Sequence, residues 1–329
     1  MSDRVAKRTP DVLTFVIPVR NDASRLERCL ESIRASAGAH SVHVIVGDNG
    51  STDDTPERAR AAGAEVASLP GMHVGAVRNA AAKMAAPGLL AFVDSDQELG
   101  LGWIPAAVDV MRDARVGATG CSCVAPPNPT WVQRIYDALR AHPPGQQDVE
   151  WLGAGNLVVR GAAFETLGGF DPSLAACEDV DLCNRLRKAG WRLVSDDRMV
   201  NVHHGDPATL GRLFQSEVWR GRDNLRVTLR GPLTLHALPS VVFPIANLVA
   251  LLVAALTCIF WPGWGWPWLA ASLAVLCGTV ALRSARIFAA LTPRSPADLS
   301  RSIAVGATYE AARALALVRR APHHRGAGR

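Results

Sequence analysis

Between Gly231 and Leu282 the chain carries no Asp, Glu, Lys or Arg. A charge-free stretch of that length exceeds what a helix in a soluble core needs, and it is long enough to cross a bilayer twice. The chain also lacks a paired CxxC. Its seven cysteines are scattered: Cys121 and Cys123 form a C-x-C, Cys177 and Cys183 flank an acidic stretch, and Cys258 and Cys277 lie in apolar runs. That pattern excludes a paired-CxxC zinc site and predicts reduced thiols in a cytosolic domain, without disulfides. No apolar leader opens the sequence. Met1 to Asp11 is polar and charged, so a cleaved signal peptide is not expected. There is no internal repeat, and no low-complexity tract beyond the tail. The net charge of +5 comes without an RNA- or DNA-binding motif. The arginines instead flank apolar segments. Nucleic acid is therefore not an expected partner, whereas membrane lipids with anionic headgroups are.

The 329 residues are 49% hydrophobic, enough for a substantial core in one large or two modest domains. Leu13 to Ile17 and Val42 to Val46 are short apolar strands, with Arg25 to Ala35 between them at helical spacing. A second helix starts near Thr55-Pro56, with proline suited to a first turn. Glu65 to Leu69 is a weaker strand, and a helix follows through Arg78 and Asn79 to Ala85. Leu89 to Val93 is the next strand. This alternation implies a mainly parallel sheet covered on both faces. Helices are expected at Trp103 to Asp113, Trp131 to Leu139 and Glu178 to Ala189, and a helix or broken helix at Leu210 to Leu229. Asn156 to Val159, Trp191 to Val194 and Met199 to Val202 read as strands. Pro126, Pro127, Pro129, Pro143 and Pro144 mark irregular connections.

Asp94-Ser95-Asp96 directly follows the strand Leu89 to Val93. Side chains at i and i+2 of an extended chain share a side. Both carboxylates are thus expected to reach one point beyond the carboxyl end of the strand, where open α/β sheets bind ligands. Two hard oxygen donors there suit Mg2+ or Mn2+. An acidic turn is the plainer reading of the same residues. Glu178-Asp179-Val180-Asp181 opens a helix, and acids in a first turn also simply complement the helix dipole.

Pro18-Val19-Arg20-Asn21, Asp48-Asn49-Gly50-Ser51-Thr52-Asp53, Arg78-Asn79, Asp94-Ser95-Asp96 and Glu178-Asp179 occur in one chain in this order. Together with Gly168-Gly169-Phe170-Asp171, Arg185-Leu186 and Ala189-Gly190, they resemble the inverting family-2 glycosyltransferases of GT-A fold, over about Leu13 to Arg226. The resemblance implies a Rossmann-like α/β domain, a nucleotide-sugar donor (UDP by default) and a glycan or glycolipid acceptor. By the same resemblance Asp48, Pro18, Asn21, Arg78 and Asp94 are the donor-binding residues. Asp94 and Asp96 are the metal motif, with Asp96 the direct ligand. Asp179 is the catalytic base. His203 or His204 contacts metal or diphosphate; the two adjacent histidines leave the choice open, with His203 favoured. The family often has two acids where this chain has Asp48-Asn49, which bears on the choice of base or sugar.

Trp151, Gly155, Asn156, Glu178, His204, Trp219 and Arg220 are further candidates for sugar or acceptor contact. Trp151 equally suits core packing, and Gly168 to Cys177 suits a loop that closes over substrate. The expected chemistry is single displacement, with Asp179 taking the acceptor proton. The dipole at a helix start lowers a carboxylate pKa, while Glu178 and Asp181 oppose that by repulsion; the sequence leaves the balance open. A polyprenyl-phosphate glycosyltransferase and a non-catalytic sugar-nucleotide-binding scaffold are the alternatives.

Ala237 to Trp261 is long enough to span a membrane, Pro262 to Pro267 turns, and Trp268 to Leu282 with its neighbours returns. Trp261, Trp264, Trp266 and Trp268 suit one interface. Arg220, Arg222, Arg226 and Arg230 before the first span, and Arg283 and Arg286 after the second, put both ends in the cytoplasm by the positive-inside rule. The expected organisation is a cytoplasmic domain over 1–230, a transmembrane hairpin over 231–292, and an interfacial helix (Ser300 to Val318) with a basic tail (Arg319, Arg320, Arg325) over 293–329. The expected location is the inner (plasma) membrane, multi-pass, with other glycan-assembly proteins as candidate partners.

Overall fold

The computed structural model describes residues 12–141, 144–235, 237–261 and 263–319. The readings placed on Met1 to Asp11, Pro143, Pro262, Arg320 and Arg325 lie outside the described residues. In chain order the first elements are β1 (Leu13–Val19), α1 (Ala23–Ala37), β2 (Val42–Asp48), α2 (Thr55–Ala61), β3 (Glu65–Ser68), α3 (Val74–Ala82) and β4 (Leu89–Val93). Then come β5 (Gln97–Leu99), α4 (Trp103–Val110), β6 (Val116–Gly120), α5 (Trp131–Arg140), β7 (Gln146–Asp148), β8 (Asn156–Arg160) and α6 (Gly161–Thr166). The remainder is α7 (Glu178–Lys188), β9 (Arg192–Asp196), β10 (Asn201–His203), α8 (Leu210–Arg220), α9 (Asn224–Arg230), α10 (Pro239–Phe260), α11 (Trp266–Ala290) and α12 (Ala297–Ala316).

The chain divides into two compact units. Among the described residues, one holds the stretches within 12–127, 144–174 and 178–206, and the other those within 128–141, 175–177 and 207–319. This division departs from the boundary expected at residue 230, because α5, α8 and α9 group with the hairpin helices.

The first unit is an eight-stranded mixed sheet in the order β3-β2-β1-β4-β8-β6-β9-β7. β3, β2, β1 and β4 run parallel, as the alternating pattern predicts, while β8 is antiparallel to both its neighbours. The period-2 geometry of a strand builds two cores from the same residues. Leu13, Phe15, Ile17 and Val19 of β1 pack with Leu26, Ile33, Trp103 and Ile104 on one face. Val16, with Leu90 and Phe92 of β4, packs with Ala81, Phe164, Leu182 and Leu186 on the other. Phe92, Phe164 and Phe170 meet with ring centroids 4.9–5.4 Å apart.

β6 has no strand signature, since Val116-Gly117-Ala118-Thr119-Gly120 holds two glycines in five residues. The packing explains them. A Cβ at Gly117 would lie 2.6 Å from Trp191, and one at Gly120 would lie 2.1 Å from the Asn156 carbonyl oxygen. After β1 the chain adds β2 and β3 on one side and β4 on the other. The carboxyl ends of β1, β2 and β4 therefore meet at a switch in strand order, the ligand-binding position of open α/β sheets. β5 pairs antiparallel with β10 in a separate two-stranded ribbon beyond β4.

In the second unit Val132, Ile135, Tyr136, Leu213, Ile287, Leu291 and Val305 form a core shared by α5, α8, α11 and α12. α10 and α11 are each long and apolar enough to cross a membrane, with mean hydropathy 2.4 and 1.5. Their apolar side chains point outward: Leu252, Leu256, Ile259, Phe260, Leu273 and Leu282 are all exposed. The helix expected over Leu210 to Leu229 is broken, with α8 ending at Arg220 and α9 starting at Asn224. α12 starts at Ala297, three residues earlier than expected. It buries Ser302, Val305, Glu310 and Ala312. Glu310 accepts from Asn247 Nδ2 at 2.9 Å and pairs with Arg283.

Candidate active site

The turn after β1 and the loop after β2 clasp each other. Asn21 has φ of 51°, a conformation asparagine tolerates better than most residues. Its Oδ1 accepts from Thr52 N at 2.7 Å, and its backbone N–H donates to Ser51 Oγ at 2.9 Å. Asp48, 5% exposed, accepts from Ser51 N at 3.1 Å. Pro18 lies in register with Gly47. The structure thus brings Pro18, Asn21 and Asp48 together at the ends of two adjacent strands.

Arg78, on α3, is the hub of the next cluster. It is 3% exposed and donates to Asp94 Oδ1 and Glu178 Oε1, both at 2.6 Å. Its guanidinium also lies 5.6 Å from the centre of the Phe170 ring. Burial opposes its charge, but Asp94, Glu178 and Asp179 outweigh that and hold it protonated. Residues 153–155 connect the same acids from above. Ala154 N donates to Asp179 Oδ2 at 3.2 Å, and a Cβ at Gly155 would lie 2.7 Å from Asp94 Oδ2. Glycine at 155 is therefore what lets this backbone pass over Asp94.

Asp179 is half-buried, with Oδ1 accepting from Val180 N at 2.8 Å. Burial raises its pKa; the Val180 and Ala154 N–H groups and Arg78 pull the other way and lose. Glu178 is raised as well, by burial first and then by repulsion from Asp179. The balance left open by the sequence thus falls on the side of a more basic carboxylate.

The expectation that Asp94 and Asp96 converge through extended geometry is corrected here. β4 ends at Val93, and Gln97 N donates to Asp94 O at 3.1 Å. The acids sit in a turn, so the i, i+2 alternation of a strand does not apply to them. Asp94 faces Arg78, whereas Asp96 faces His203 Nε2 at 3.2 Å and Arg25 at 3.8 Å. Among the described residues no group of three or more His, Cys, Asp or Glu side chains stands assembled as a metal cage. Yet Asp96 Oδ1 is buried without a hydrogen-bond partner. Burial would raise the Asp96 pKa, but His203 and Arg25 hold it below the usual carboxylate range. His203 Nδ1 meets Asp206 Oδ1 at 2.6 Å. Burial disfavours its charge, but Asp206 and Asp96 push its pKa up to about 9. A Cβ at Gly205 would lie 1.9 Å from Asp96 Oδ2.

The two histidines part company. The β5–β10 ribbon turns His203 toward Asp96, while His204 Nε2 meets Glu98 Oε2 at 2.7 Å. Asn156 is corrected to a framework residue. It is 1% exposed; its Oδ1 accepts from Trp103 Nε1 at 2.7 Å, and its Nδ2 donates to Cys121 O, Met199 O and Asn201 Oδ1. No polar atom of Asn156 is left for a sugar. Trp151 is 49% exposed, which excludes core packing. Trp219, 41% exposed, and Arg220, bonded to the Tyr136 hydroxyl at 2.6 Å, belong to the second unit.

Gly205, Asp206 and Asp22 escaped the sequence reading, and Ser95 and Arg25 entered it only as motif and helix residues. Ser95 Oγ donates to Asp22 Oδ2 at 2.9 Å, and Arg25 Nε donates to Asp22 Oδ1 at 2.6 Å. The available signal was a glycine and an acid directly after a strand-terminal His-His pair.

Residues 14–158 match the model of Glycosyl transferase family 2. An N-acetylglucosaminyl-diphospho-decaprenol L-rhamnosyltransferase of Mycobacterium tuberculosis is 30% identical over 283 residues, covering 69% of this chain and 92% of the relative. A glycosyltransferase of Haloferax volcanii is 25% identical over 240 residues, 68% of this chain and 76% of its own length. Among solved structures, a mannosyltransferase of Pyrobaculum calidifontis in complex with GDP-Man and Mn2+ superposes with a TM-score of 0.59, at 18% identity, over 94% of this chain and 88% of that one. The α/β sheet is therefore that of a GT-A fold, and the chain belongs to glycosyltransferase family 2 and is a glycosyltransferase.

Proposed function

We propose that this glycosyltransferase moves a sugar from a nucleotide-sugar donor to a hydroxyl of a lipid-linked glycan, with inversion, at a membrane surface. The observation that carries this reading is the Arg78 hub, which joins Asp94 of the β4 turn to Glu178 at the start of α7, one residue from Asp179. The mycobacterial relative is named for an acceptor that is a diphospholipid sugar. The outward-facing apolar helices α10 and α11 suit a lipid-linked acceptor in the same way. UDP remains the default nucleotide.

Asp48, Pro18 and Asn21 would line the nucleoside, with Arg78 holding Asp94 ready at the diphosphate. A divalent cation, Mg2+ or Mn2+, would be held by the hard oxygens of Asp96, with its unpartnered Oδ1, and of the partly exposed Asp94, and by His203 Nε2 once the cation displaces its ring proton. When bound, such an ion neutralises charge developing on the leaving diphosphate. Asp179 takes the proton from the acceptor hydroxyl at Oδ1 or Oδ2 while that oxygen attacks the anomeric carbon from the face opposite the diphosphate. Its raised pKa makes it a stronger base than an ordinary aspartate. Trp151, exposed beside Gly153, offers an aromatic face to a sugar ring. Positive charge before α10 and after α11 would place both ends of the hairpin on the cytoplasmic side of the plasma membrane.

The test is a thermal-shift panel of sugar nucleotides with and without Mn2+, followed by release of nucleoside diphosphate on addition of lipid-linked acceptor. A Mn2+-dependent shift with one nucleotide and acceptor-dependent release is expected. Binding without release under any acceptor would leave the non-catalytic scaffold instead.

A further inference from the structure

α10 has 22 residues, so it rises about 33 Å, close to the ~30 Å hydrocarbon core of a bilayer. With its tryptophan-flanked end at one interface, Pro239 falls at the other. The ten residues just before it hold four leucines alongside Arg230, Thr234 and His236. Leu229, Leu233, Leu235 and Leu238 are 62%, 63%, 83% and 38% exposed. Isolated exposed leucines are ordinary, but four within ten residues, leading directly into an outward apolar helix, form a patch. The segment is held to α10 by hydrogen bonds. Asn224 Nδ2 donates to Ser240 O at 2.8 Å, and Ser240 Oγ to Ala237 O at 2.7 Å. Leu238 N donates to Thr234 O at 3.2 Å. Exposed Arg226 and Arg230 of α9 stand at the same end of the helix.

Apolar side chains at the depth of the headgroup boundary, with arginines one turn away, are the pattern of an interfacial foot. We propose that Leu229, Leu233, Leu235 and Leu238 insert into the acyl boundary of an anionic phospholipid leaflet, with Arg226 and Arg230 at the lipid phosphates. This rests on the membrane-spanning reading of α10 and α11. The foot fixes the depth at which the second unit sits and brings its arginine-rich end to the plane of the headgroups.

The experiment uses the full chain in vesicles of phosphatidylethanolamine and radiolabelled phosphatidylglycerol. A photoreactive benzoylphenylalanine replaces Leu235, or Leu252 in the middle of α10, or exposed Arg212 on α8. Lipid adducts of the same order at 235 and 252, and none at 212, are expected. An adduct at 252 alone overturns the foot and leaves the spans standing. Loss at both positions overturns the membrane reading itself. A protein–protein adduct at 235 in place of the lipid adduct makes the patch an interface between chains and also overturns the foot. With phosphatidylglycerol diluted tenfold into phosphatidylethanolamine, the adduct per labelled lipid at 235 should rise to several-fold above that at 252; equal yields would overturn the arginine contact.

Discussion

Replacing Asp179 by Asn separates chemistry from folding. The side chain accepts two backbone N–H bonds, from Val180 N at 2.8 Å and Ala154 N at 3.2 Å. Asparagine keeps one oxygen, so one backbone N–H is left facing an amide N–H, a cost of about 1–3 kcal/mol. Against that stands the raised pKa of the native carboxyl. A carboxyl whose folded pKa lies above its unfolded value favours the fold below the unfolded pKa. That contribution is lost as pH rises through the folded pKa. Above the unfolded pKa the native protein therefore carries the cost of keeping this carboxyl in its desolvated site, and Asp179→Asn removes it. The two effects oppose each other, and the melting temperature should move by only a few degrees. Catalysis should behave differently. General-base assistance is worth about 10²–10⁴-fold, roughly 3–5 kcal/mol of barrier. Initial-rate kinetics with radiolabelled donor should show kcat down by about that factor, with donor affinity by thermal shift unchanged. The native acid limb of kcat/KM should lie above the ordinary aspartate pKa of about 3.9. Near-native kcat in the folded variant would refute the assignment of Asp179 as base, and collapse of its fold would refute the stability balance.

Arg78→Met should lower stability by about 3–5 kcal/mol, because it strands the buried Glu178 carboxyl; denaturant unfolding checks this, and a change below about 1 kcal/mol would mean that Glu178 is not stranded without Arg78. Gly205→Ala should weaken Mn2+-dependent activity through its 1.9 Å clash with Asp96, whereas Gly211→Ala, with open space at its Cβ, should not; equal losses would discard the clash as the cause. His203→Ala should raise the Mn2+ concentration needed for half-maximal rate, and His204→Ala should leave it nearly unchanged, as read from metal titrations of initial rate. Alkaline carbonate extraction should leave the full-length chain in the membrane pellet, and its release would remove the transmembrane hairpin.

The parallel part of the sheet was legible because its strands are contiguous apolar runs, as in Leu13 to Ile17 and Leu89 to Val93. β6 was not, because its glycines answer to Trp191 and Asn156, residues distant in the chain. Asp48, Arg78 and Glu178 were visible as motif residues, but not that one arginine would clamp Asp94 and Glu178. Asn156 misled for the opposite reason: next to glycines it looks like a binding residue, while its side-chain hydrogen bonds go to Trp103, Cys121, Met199 and Asn201, all distant in the chain. The choice between His203 and His204 rested on the direction of a three-residue strand.

The amino-acid order alone determined the apolar hairpin, the strand–helix alternation and the identity of the acids, because these depend on periodicity and residue type over short windows. Only the tertiary structure decided which acid meets which base. It turned Asp94 toward Arg78 and Asp96 toward His203, and it desolvated Asp179. Pairing and desolvation depend on what the folded chain packs around a group, and no local pattern encodes that.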